Sequence, residues 1–517
     1  MSWVIDCTTG AVRKTMKNIP LRYACLSVMI FLMLSCASVT LENKGKPGAQ
    51  DFADVLGTIS SQKLLDYAGE LSSDKYAGRL SGTQEYKRAA EWTASLFKRW
   101  DISPAGEKGT YLQSFPNPYT TVFEGGELAY HYDKNDLNKK KYYKYETDYY
   151  PGSDSGSGAV TAEVVYVGYG IYAPELGYND YQDVDVSGKI VFIEPGVPVS
   201  PYENPEKYEQ WNPYSLNTYK VKMAVAQGAK GMLYHELKVG PHTDYVKGFI
   251  VSHVGDSVAM DIFSGTKLSS QKAREEIQKS MTPGSFRSGK TFTMENLTEH
   301  HPQGTGYNVM GFLRGEDPDN EDEVIIIGAH LDHTGFCYEI MPGANDNASG
   351  VAVLLGAAEA LSKNPAGVRR SVLFIGFGAH EQGLTGSKEY LKDSLFPAEK
   401  TVSFINIDRV GNGGGIRVFG AENFPDLWKA LSKSNRKNVG MNLIPETFDS
   451  PDREPSDADS FLKKKVPSLS FRSDKVPETL HTTRDTTDKL NPGLMRDLSH
   501  LLTYFIIELA NSKKPFN

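Results

Sequence analysis

Three short apolar runs, each followed closely by an acidic residue or a histidine, constrain the fold of this chain more than any other feature. The runs cover 324–329, 372–377 and 402–407 and are rich in β-branched and aromatic side chains. Such runs are typical of buried parallel strands, which occur in α/β folds with helices on both faces of the sheet. We therefore expect a mixed, mostly parallel sheet sandwiched by helices, one of them an amphipathic helix at 492–511.

Five polar residues follow these strands or lie in loops near them. The carboxyl ends of strands in an open α/β sheet are where ligands bind, so we expect the side chains to share one rim. Two imidazoles and three carboxylates without a thiolate suit divalent zinc, and a carboxylate can bridge two ions through its two oxygens. Asp346 is the natural bridge, although taken alone it could also be the N-cap of a helix that follows it. The residues are His330, Asp346, Glu381, Asp408 and His481.

The sequence around these positions forms longer blocks. They are Ala-Gly-Arg-Leu-Ser-Gly-Thr at 77–83, Gly-Ala-His-Leu-Asp-His at 328–333, Pro-Gly-Ala-Asn-Asp-Asn-Ala-Ser-Gly at 342–350, Glu-Gln-Gly-Leu-Thr-Gly-Ser at 381–387, Asn-Ile-Asp at 406–408, Ser-Asp at 456–457 and His-Thr at 481–482. These blocks resemble the signature blocks of the M28 family of zinc metallopeptidases, and the resemblance covers most of residues 55–511.

The resemblance implies a zinc-exopeptidase-like fold that holds two zinc ions. Its expected ligands are His330 and Asp408 for one ion, Glu381 and His481 for the other, and Asp346 shared between them. Asp332 would stand behind the site and accept the second ring N–H of His330, which fixes the tautomer that binds metal. In such a site the metals lower the pKa of a bridging water, and a general base moves its proton to the leaving amine.

The chain departs from the family pattern at His380. The family has two consecutive glutamates here, the first as general base and the second as ligand, whereas this chain has His380 before Glu381. A neutral imidazole, with an ordinary pKa of about 6.5, can accept a proton. Two nearby dications would depress that pKa and weaken the protonated ring as an acid toward the amine. Three outcomes stay open: a working base, a slow enzyme, or a zinc-binding fold without catalysis.

The resemblance implies an exopeptidase that acts on peptides, with an aminopeptidase as the leading interpretation. Relatives of the same fold act as carboxypeptidases or as glutaminyl cyclases, but the full ligand set favours two metals and hydrolysis over single-zinc cyclisation. A zinc-stabilised peptide-binding protein without turnover is the third alternative.

Two arginines near the rim, Arg409 and Arg472, are further departures from the family pattern. They would either favour a substrate carboxylate near the rim or form surface salt bridges.

Residues 1–36 look like a bacterial lipoprotein signal. Basic residues precede an apolar stretch at 21–35, and a small residue precedes Cys36. The stretch is short for a transmembrane helix. The signal implies that Cys36 carries a lipid anchor and that the protein is exported to the bacterial cell envelope, as a periplasmic or outer-membrane lipoprotein.

The polar leader at 1–15 suggests that translation begins at Met16. Of the four cysteines in the sequence, Cys36 and Cys337 would then remain in the mature chain. No internal disulfide framework is therefore expected.

The length of 517 residues allows two or three domains. Strand-like runs at 164–170, 188–193 and 228–234, with a helix near 219–227, resemble the protease-associated (PA) domain that is often inserted in M28 enzymes. Such an insert would act as a lid or substrate-selecting wall without catalytic residues, or be purely structural. The expected divisions are the signal at 1–36, the N-terminal part of the catalytic domain at 54–158, the PA insert at 159–290 and the main catalytic part at 291–517.

The expected partner is a peptide substrate. A net charge of −8 without a large basic cluster argues against nucleic acid. A run at 284–291 fits the phosphate-loop pattern, but a strand-like segment follows it instead of a helix, so nucleotide binding is not expected. Membrane contact is expected only through the lipid anchor at Cys36, and the sequence leaves the oligomeric state open.

Overall fold

The structure, a computed structural model, describes residues 55–134, 137–240, 245–320, 322–364, 366–450 and 453–512. The predicted lipoprotein signal and its Cys36 lie outside the described residues. Within the described ranges, no helix combines the length and the apolar character that crossing a membrane requires.

The first sheet has nine described strands and a parallel centre. In order across the sheet, the central strands are Ser371–Phe377, Val324–His330, Thr401–Ile407 and Ser468–Ser473. Thr305–Leu313 and Ile416–Phe419 pair antiparallel with the two outer members of this group. The remaining strands are Ser103–Pro104, Leu112–Pro116 and Leu443–Glu446. The three apolar runs of the sequence thus form neighbouring, almost wholly buried strands.

Helices cover both faces of the first sheet, which confirms the expected α/β sandwich. Helix Gly350–Ser362 packs against Val324–His330 and against helix Pro492–Asn511. Its sequence is apolar on nearly all sides, as in a helix that is buried inside a fold. Apolar side chains of helices Thr385–Lys392 and Asp457–Leu462 pack on the opposite face. The further helices of this region are Ser61–Leu71, Gln84–Arg99 and Pro425–Asn438.

The second sheet has ten described strands and also has a parallel centre. The central strands are Gly158–Tyr166, Ile190–Ile193, Gly231–Tyr234 and Ile250–Val254. A long antiparallel pair, Tyr119–Lys134 and Phe286–His301, lies beside them. The other strands are Leu137–Tyr142, Tyr149–Pro151, Phe336–Cys337 and Glu339–Ile340, and Tyr172–Ala173 pairs with Tyr178–Asn179 in a small separate sheet. The helices of this region are Pro205–Trp211, Asn217–Ala226, Asp256–Phe263 and Ser270–Ser280.

The second sheet is wider than the insert predicted at 159–290. It takes in Tyr119–Lys134, which the sequence analysis placed with the catalytic part, and it continues to His301. The strand Tyr119–Lys134 is partly exposed and contains two adjacent glycines, so it lacks the continuous apolar run that marks the central strands. The phosphate-loop-like run leads into the strand Phe286–His301, as its sequence context indicates. We call the second sheet with its helices the insert region.

Candidate metal centre

Three strands of the first sheet bring polar side chains to one rim. His330 ends the strand Val324–His330, and Glu381 and Asp408 follow the ends of the two strands that are hydrogen-bonded to it. Because these strands are parallel, their carboxyl ends lie at the same edge of the sheet. The rim is deeply buried, since His330 and Asp408 are each 1% exposed.

One group of possible ligands consists of His330, Asp346 and Asp408. The Nε2 atom of His330 lies 3.2 Å from Oδ1 of Asp346 and 3.5 Å from Oδ1 of Asp408. All three side chains are buried. Their ligand atoms are close enough to coordinate one cation together.

A second group consists of His333, Asp346, Glu381 and His481. The Nε2 atom of His481 lies 3.0 Å from Oδ2 of Asp346 and 3.2 Å from Oε1 of Glu381. The Nδ1 atom of His333 lies 3.6 Å from the same Glu381 oxygen and 3.8 Å from Oδ2 of Asp346. This group contains one residue, His333, that the sequence analysis did not assign to the site.

Asp346 belongs to both groups and directs a different oxygen to each. Oδ1 faces the first group and Oδ2 faces the second, which is the geometry of a bridging carboxylate. Asp346 lies in a turn at Ala344–Ser349, and Ser349 is the N-cap residue of the helix that follows. The alternative that Asp346 caps this helix is therefore wrong.

Unpaired buried atoms indicate that both groups suit metal ions. Among the described residues, Nε2 of His330, Oδ1 of Asp408 and both ring nitrogens of His333 have no hydrogen-bond partner. Polar atoms that stay buried without a partner cost folding free energy, so they are rare. Zinc binds imidazole nitrogens and carboxylate oxygens, and it would pair Nε2 of His330, Oδ1 of Asp408 and one ring nitrogen of His333. The donor set therefore fits zinc.

Charged neighbours keep the ligand carboxylates ionised. Burial alone would raise the pKa of Asp408, but the guanidinium groups of Arg472 and Arg409, together with His330, hold this pKa well below its ordinary value. Burial would also raise the pKa of Asp346, and its close contacts with the imidazoles of His330 and His481 hold this pKa well below the ordinary value. Ionised carboxylates are the form that binds metal.

The backbone of Asp332, and not its carboxylate, orients His330. The Nδ1 atom of His330 lies 3.1 Å from the carbonyl oxygen of Asp332, so Nδ1 is the donor and Nε2 is free for metal. The Asp332 carboxylate lies 3.8 Å away from that nitrogen. It accepts the backbone N–H groups of His380 and Glu381 at 3.1 and 3.2 Å. The predicted hydrogen bond from His330 to the Asp332 carboxylate is therefore wrong. The carboxylate accepts hydrogen bonds from the backbone of the loop at 380–381 instead.

Arg79 ties the loops that carry the ligands together. Its side chain is fully buried. Its guanidinium donates to the carbonyl oxygens of Leu331, Pro342 and Gly343 at 2.8–2.9 Å. Leu331 lies next to His330 in sequence, and Gly343 begins the turn that contains Asp346. The arginine therefore fixes the spacing of the two loops from behind.

The insert region orients His481. The Nδ1 atom of His481 lies 2.8 Å from the carbonyl oxygen of Val239, which must accept, so Nε2 faces the ligand carboxylates. His481 has a left-handed backbone with φ of 55°, which is uncommon for a residue with a side chain. Val239 is itself buried in a cluster that contains Cys337 and Met341. The orientation of the candidate ligand His481 thus depends on its contact with the insert region.

His380 pairs with a carboxylate that belongs to neither ligand group. Its Nδ1 atom lies 2.9 Å from Oδ2 of Asp457. Its ring stacks on the ring of His330, with centroids 3.8 Å apart. Burial and the neighbouring His330 lower the pKa of His380, but Asp457 and Asp408 outweigh them, so the net pKa is raised. Asp457 keeps a proton on Nδ1 and leaves Nε2 as the basic nitrogen.

Arg409 and Arg472 lie inside the centre and not on the surface. Each is 7% exposed. Arg472 donates to Oδ2 of Asp408 at 2.5 Å, and Arg409 lies 3.3 Å from Oδ1 of the same carboxylate. Arg409 also donates to Glu454 at 2.6 Å. Both arginines therefore form salt bridges, with Asp408 of the centre and with the half-exposed Glu454 beside it, and neither is left free for a substrate carboxylate.

A cavity of about 230 Å³ opens onto the centre. It is lined by Asp346, Glu381, His481 and His380, and its outer wall includes Lys238 and Glu454. Lys238 comes from the insert region. Substrate that enters this cavity meets the candidate metal ligands and His380 directly.

The structure brings together all five predicted ligands, and it adds His333 and Val239 as residues that the sequence analysis missed. His333 belongs to the block at 328–333, so the sequence did contain a signal for it. It was not assigned because the five predicted residues already supplied ligands for two ions. Val239 acts through a backbone carbonyl, which any residue type supplies, so no sequence signal exists for it. The placement of the ligands agrees with the expected pairs around a shared Asp346.

Comparisons with known proteins agree with this geometry. Residues 308–506, which contain every candidate ligand, match Peptidase family M28. The chain is 26% identical over 379 residues to aminopeptidase YwaD of Bacillus subtilis (strain 168), an alignment that covers 70% of this chain and 71% of that protein. Its fold is similar to an aminopeptidase from Aneurinibacillus sp. strain AM-1, with a TM-score of 0.63, 22% identity and coverage of 90% and 97% of the two chains. It is also similar to BSAP, a zinc aminopeptidase from Bacillus subtilis, with a TM-score of 0.58, 20% identity and coverage of 88% and 96%.

Proposed function

We propose that this M28-like chain is a zinc exopeptidase, an aminopeptidase that holds two zinc ions and removes residues from the amino end of peptides. The observation that carries the proposal is the pair of ligand groups that share Asp346, one oxygen to each. The match of residues 308–506 to Peptidase family M28 supports the same chemistry.

The ligand residues have separate tasks in this proposal. His330 and Asp408 would hold one ion, His333, Glu381 and His481 the other, and Asp346 both. When bound, two zinc ions supply Lewis acidity for the scissile carbonyl and bring the pKa of a shared water near neutrality.

His380 is the group that moves the proton. Its ring lines the cavity, and its Nδ1 is held by Asp457 at 2.9 Å. In this role, Nε2 takes the proton of the attacking water and returns it to the leaving amine. Asp457 is a positioning residue, because it sets the tautomer and the angle of the ring and does not reach the substrate itself.

The size of the cavity suits the terminal residue of a peptide substrate. Its volume of about 230 Å³ is below the roughly 300–1,000 Å³ of pockets for drug-sized ligands. Lys238 of the insert region forms part of its wall. Glu454 is a half-exposed carboxylate of the wall outside the ligand groups, and Arg409 pairs with it at 2.6 Å.

The first experiment is hydrolysis of aminoacyl p-nitroanilides and free-amino peptides by the zinc-loaded protein, with zinc counted by atomic absorption. We expect turnover, about two zinc ions per chain, and no cleavage of peptides with a blocked amino end. Cleavage of blocked peptides from the carboxyl end would replace the proposal with a carboxypeptidase. About one zinc with cyclisation of N-terminal glutamine would indicate a glutaminyl cyclase, and peptide affinity without turnover at any pH would indicate a binding protein.

The role of His380 is tested by substitution. His380→Ala should lower kcat about a hundred- to ten-thousand-fold, the usual loss when a general base is removed, with the zinc content retained. His380→Glu restores the family's residue type. A large gain in activity on His380→Glu would show that histidine handicaps this enzyme, and equal or lower activity would support His380 as the adapted base.

Two further proposals concern the context of the enzyme. The insert region is proposed to be a PA-type domain that forms one wall of the substrate cavity. The protein is proposed to be a lipoprotein of the bacterial cell envelope, anchored through Cys36. Metabolic labelling with a fatty acid should be lost on Cys36→Ala, and labelling that persists would refute the anchor.

A further inference from the structure

We propose that Lys238 makes the site selective for peptides whose first residue carries an acidic side chain. The inference rests on the proposed aminopeptidase function and adds a substrate class to it. It assigns a specificity role to a residue of the insert region, whose side chain lies outside both ligand groups.

Lys238 is fixed beside the centre by its neighbour in the chain. The carbonyl of Val239 accepts the N–H of His481 at 2.8 Å, so this segment cannot move away without releasing a ligand. Ser153 donates to the carbonyl of Gly240 at 2.6 Å and holds the segment from the other side. Lys238 lines the same cavity as Glu381 and His481. Its ammonium group is therefore presented to whatever occupies that cavity.

Lys238 is the exchangeable cation among the described residues of this wall. Arg409 is buried and engaged by Asp408 and Glu454. Lys238 pairs with Glu236 at 3.0 Å, and the two side chains are 42% and 35% exposed. Exposed pairs of this kind contribute little free energy. A substrate carboxylate can thus replace Glu236 as the partner of the ammonium group at small cost.

The charge balance of the cavity favours an anionic side chain. The cavity is lined by four carboxylates, those of Asp346, Glu381, Asp408 and Glu454, and by two cations, Lys238 and Arg409. Two bound divalent ions would make the total charge of this lining positive. A pocket lined by excess positive charge attracts acidic groups and repels basic ones. The first residue of the substrate is then held through its side-chain carboxylate by Lys238.

The test compares glutamyl and leucyl p-nitroanilide as substrates of the zinc-loaded protein. The variants are Lys238→Met, which keeps the length and removes the charge, and Lys230→Met as matched control. Lys230 is exposed and directly precedes the strand Gly231–Tyr234, at the end opposite to the one that leads to Lys238. We expect the wild type to favour the glutamyl substrate, and the ratio of the two kcat/KM values to fall about tenfold in Lys238→Met, a loss that corresponds to one charge contact. The ratio should not change in Lys230→Met.

A binding measurement separates this inference from the proposed function. Calorimetry on the zinc-loaded protein should show free L-glutamate binding more tightly than L-leucine, with the difference lost in Lys238→Met. Glutamate selectivity without hydrolysis of any substrate would reject the peptidase and leave the role of Lys238 standing. Hydrolysis without acidic preference, or a preference that survives in Lys238→Met, would overturn the role of Lys238. Cleavage of N-acetylated peptides that depends on Lys238 would show that it binds a terminal carboxylate and would also overturn it.

Discussion

His380 differs from His330 and His481 because the partner of its Nδ1 atom is a carboxylate, that of Asp457, and not a backbone carbonyl. His330 and His481 each donate one ring nitrogen to a backbone carbonyl and turn the other toward ligand carboxylates. A carboxylate partner has a stronger effect than a carbonyl, since it also stabilises the protonated ring. A general base holds a proton for a short time during the reaction, and a carboxylate partner stabilises it in that protonated form.

Replacing Asp457 by Asn should slow catalysis while the zinc centre is retained. Asparagine keeps the size but removes the charge that stabilises the protonated His380 ring. We expect kcat to fall about ten- to a hundred-fold, the usual cost of losing an orienting partner, with KM and zinc content nearly unchanged. A rise in KM at constant kcat, measured by steady-state kinetics, would contradict this role.

Replacing His333 by Ala should weaken one zinc site and spare the other. His333 belongs only to the group with Glu381 and His481. At a zinc concentration that saturates the wild type, atomic absorption should show the bound zinc falling from about two ions to about one per chain. His301→Ala, which changes a histidine outside both groups, serves as the control. Unchanged stoichiometry in His333→Ala would show that His333 does not bind zinc.

At the scale of elements, the central strands could be predicted almost to the residue. The runs 324–329, 372–377 and 402–407 form strands that are each one residue longer than the run. Such strands are buried on both faces, so their sequence is continuously apolar and easily recognised. Helix Pro492–Asn511 has the predicted bounds, because Pro492 opens it and the side chain of Asn491 caps it.

Elements that are half exposed were harder to predict. Only residues 164–166 of the predicted run at 164–170 lie in a strand, which begins at Gly158 and ends at Tyr166. The first half of that strand alternates in exposure, so its apolar run covers only the second half.

The five ligands could be predicted from residue type and position after the strands. The carbonyl of Val239 could not, because a backbone group leaves no mark in the sequence.

Replacing Arg79 by Met should both destabilise the fold and weaken zinc binding. The substitution leaves the buried carbonyls of Leu331, Pro342 and Gly343 without their donor. A buried carbonyl left without its donor costs about 1–3 kcal/mol, so the loss of three donors should lower the free energy of unfolding by at least about 3 kcal/mol. Urea denaturation measures this loss, and zinc titration measures the effect on the centre.

Arg79→Lys is the matched variant for that prediction. It keeps the charge but offers fewer directed donors than the guanidinium fork, so it should recover only part of the stability. Equal stability of Arg79→Met and the wild type would show that the loops hold their spacing without the arginine.

At the scale of the whole molecule, zinc should stabilise the fold that holds it. The ligands come from distant parts of the chain, between His330 and His481, and the unfolded chain cannot present them together. Ligand that binds only the native state adds about 4 kcal/mol at a free concentration of a thousand times its Kd. Addition of zinc should raise Tm, and a chelator should lower it. The shift should be smaller in His481→Ala, and an equal shift would mean that zinc binds elsewhere.

The carbonyl of Val239 limits how such proteins can be recombined. A chimera that took its insert from a relative would keep both sheets but would present a loop of different shape to His481. The imidazole could then rotate, and the product would be soluble yet poorly metallated. Because the strand Phe336–Cys337 also pairs with Tyr119–Lys134, the loop between the first two ligands would shift as well. Domain exchange in this architecture therefore succeeds only if the donor and recipient share the segment around Val239.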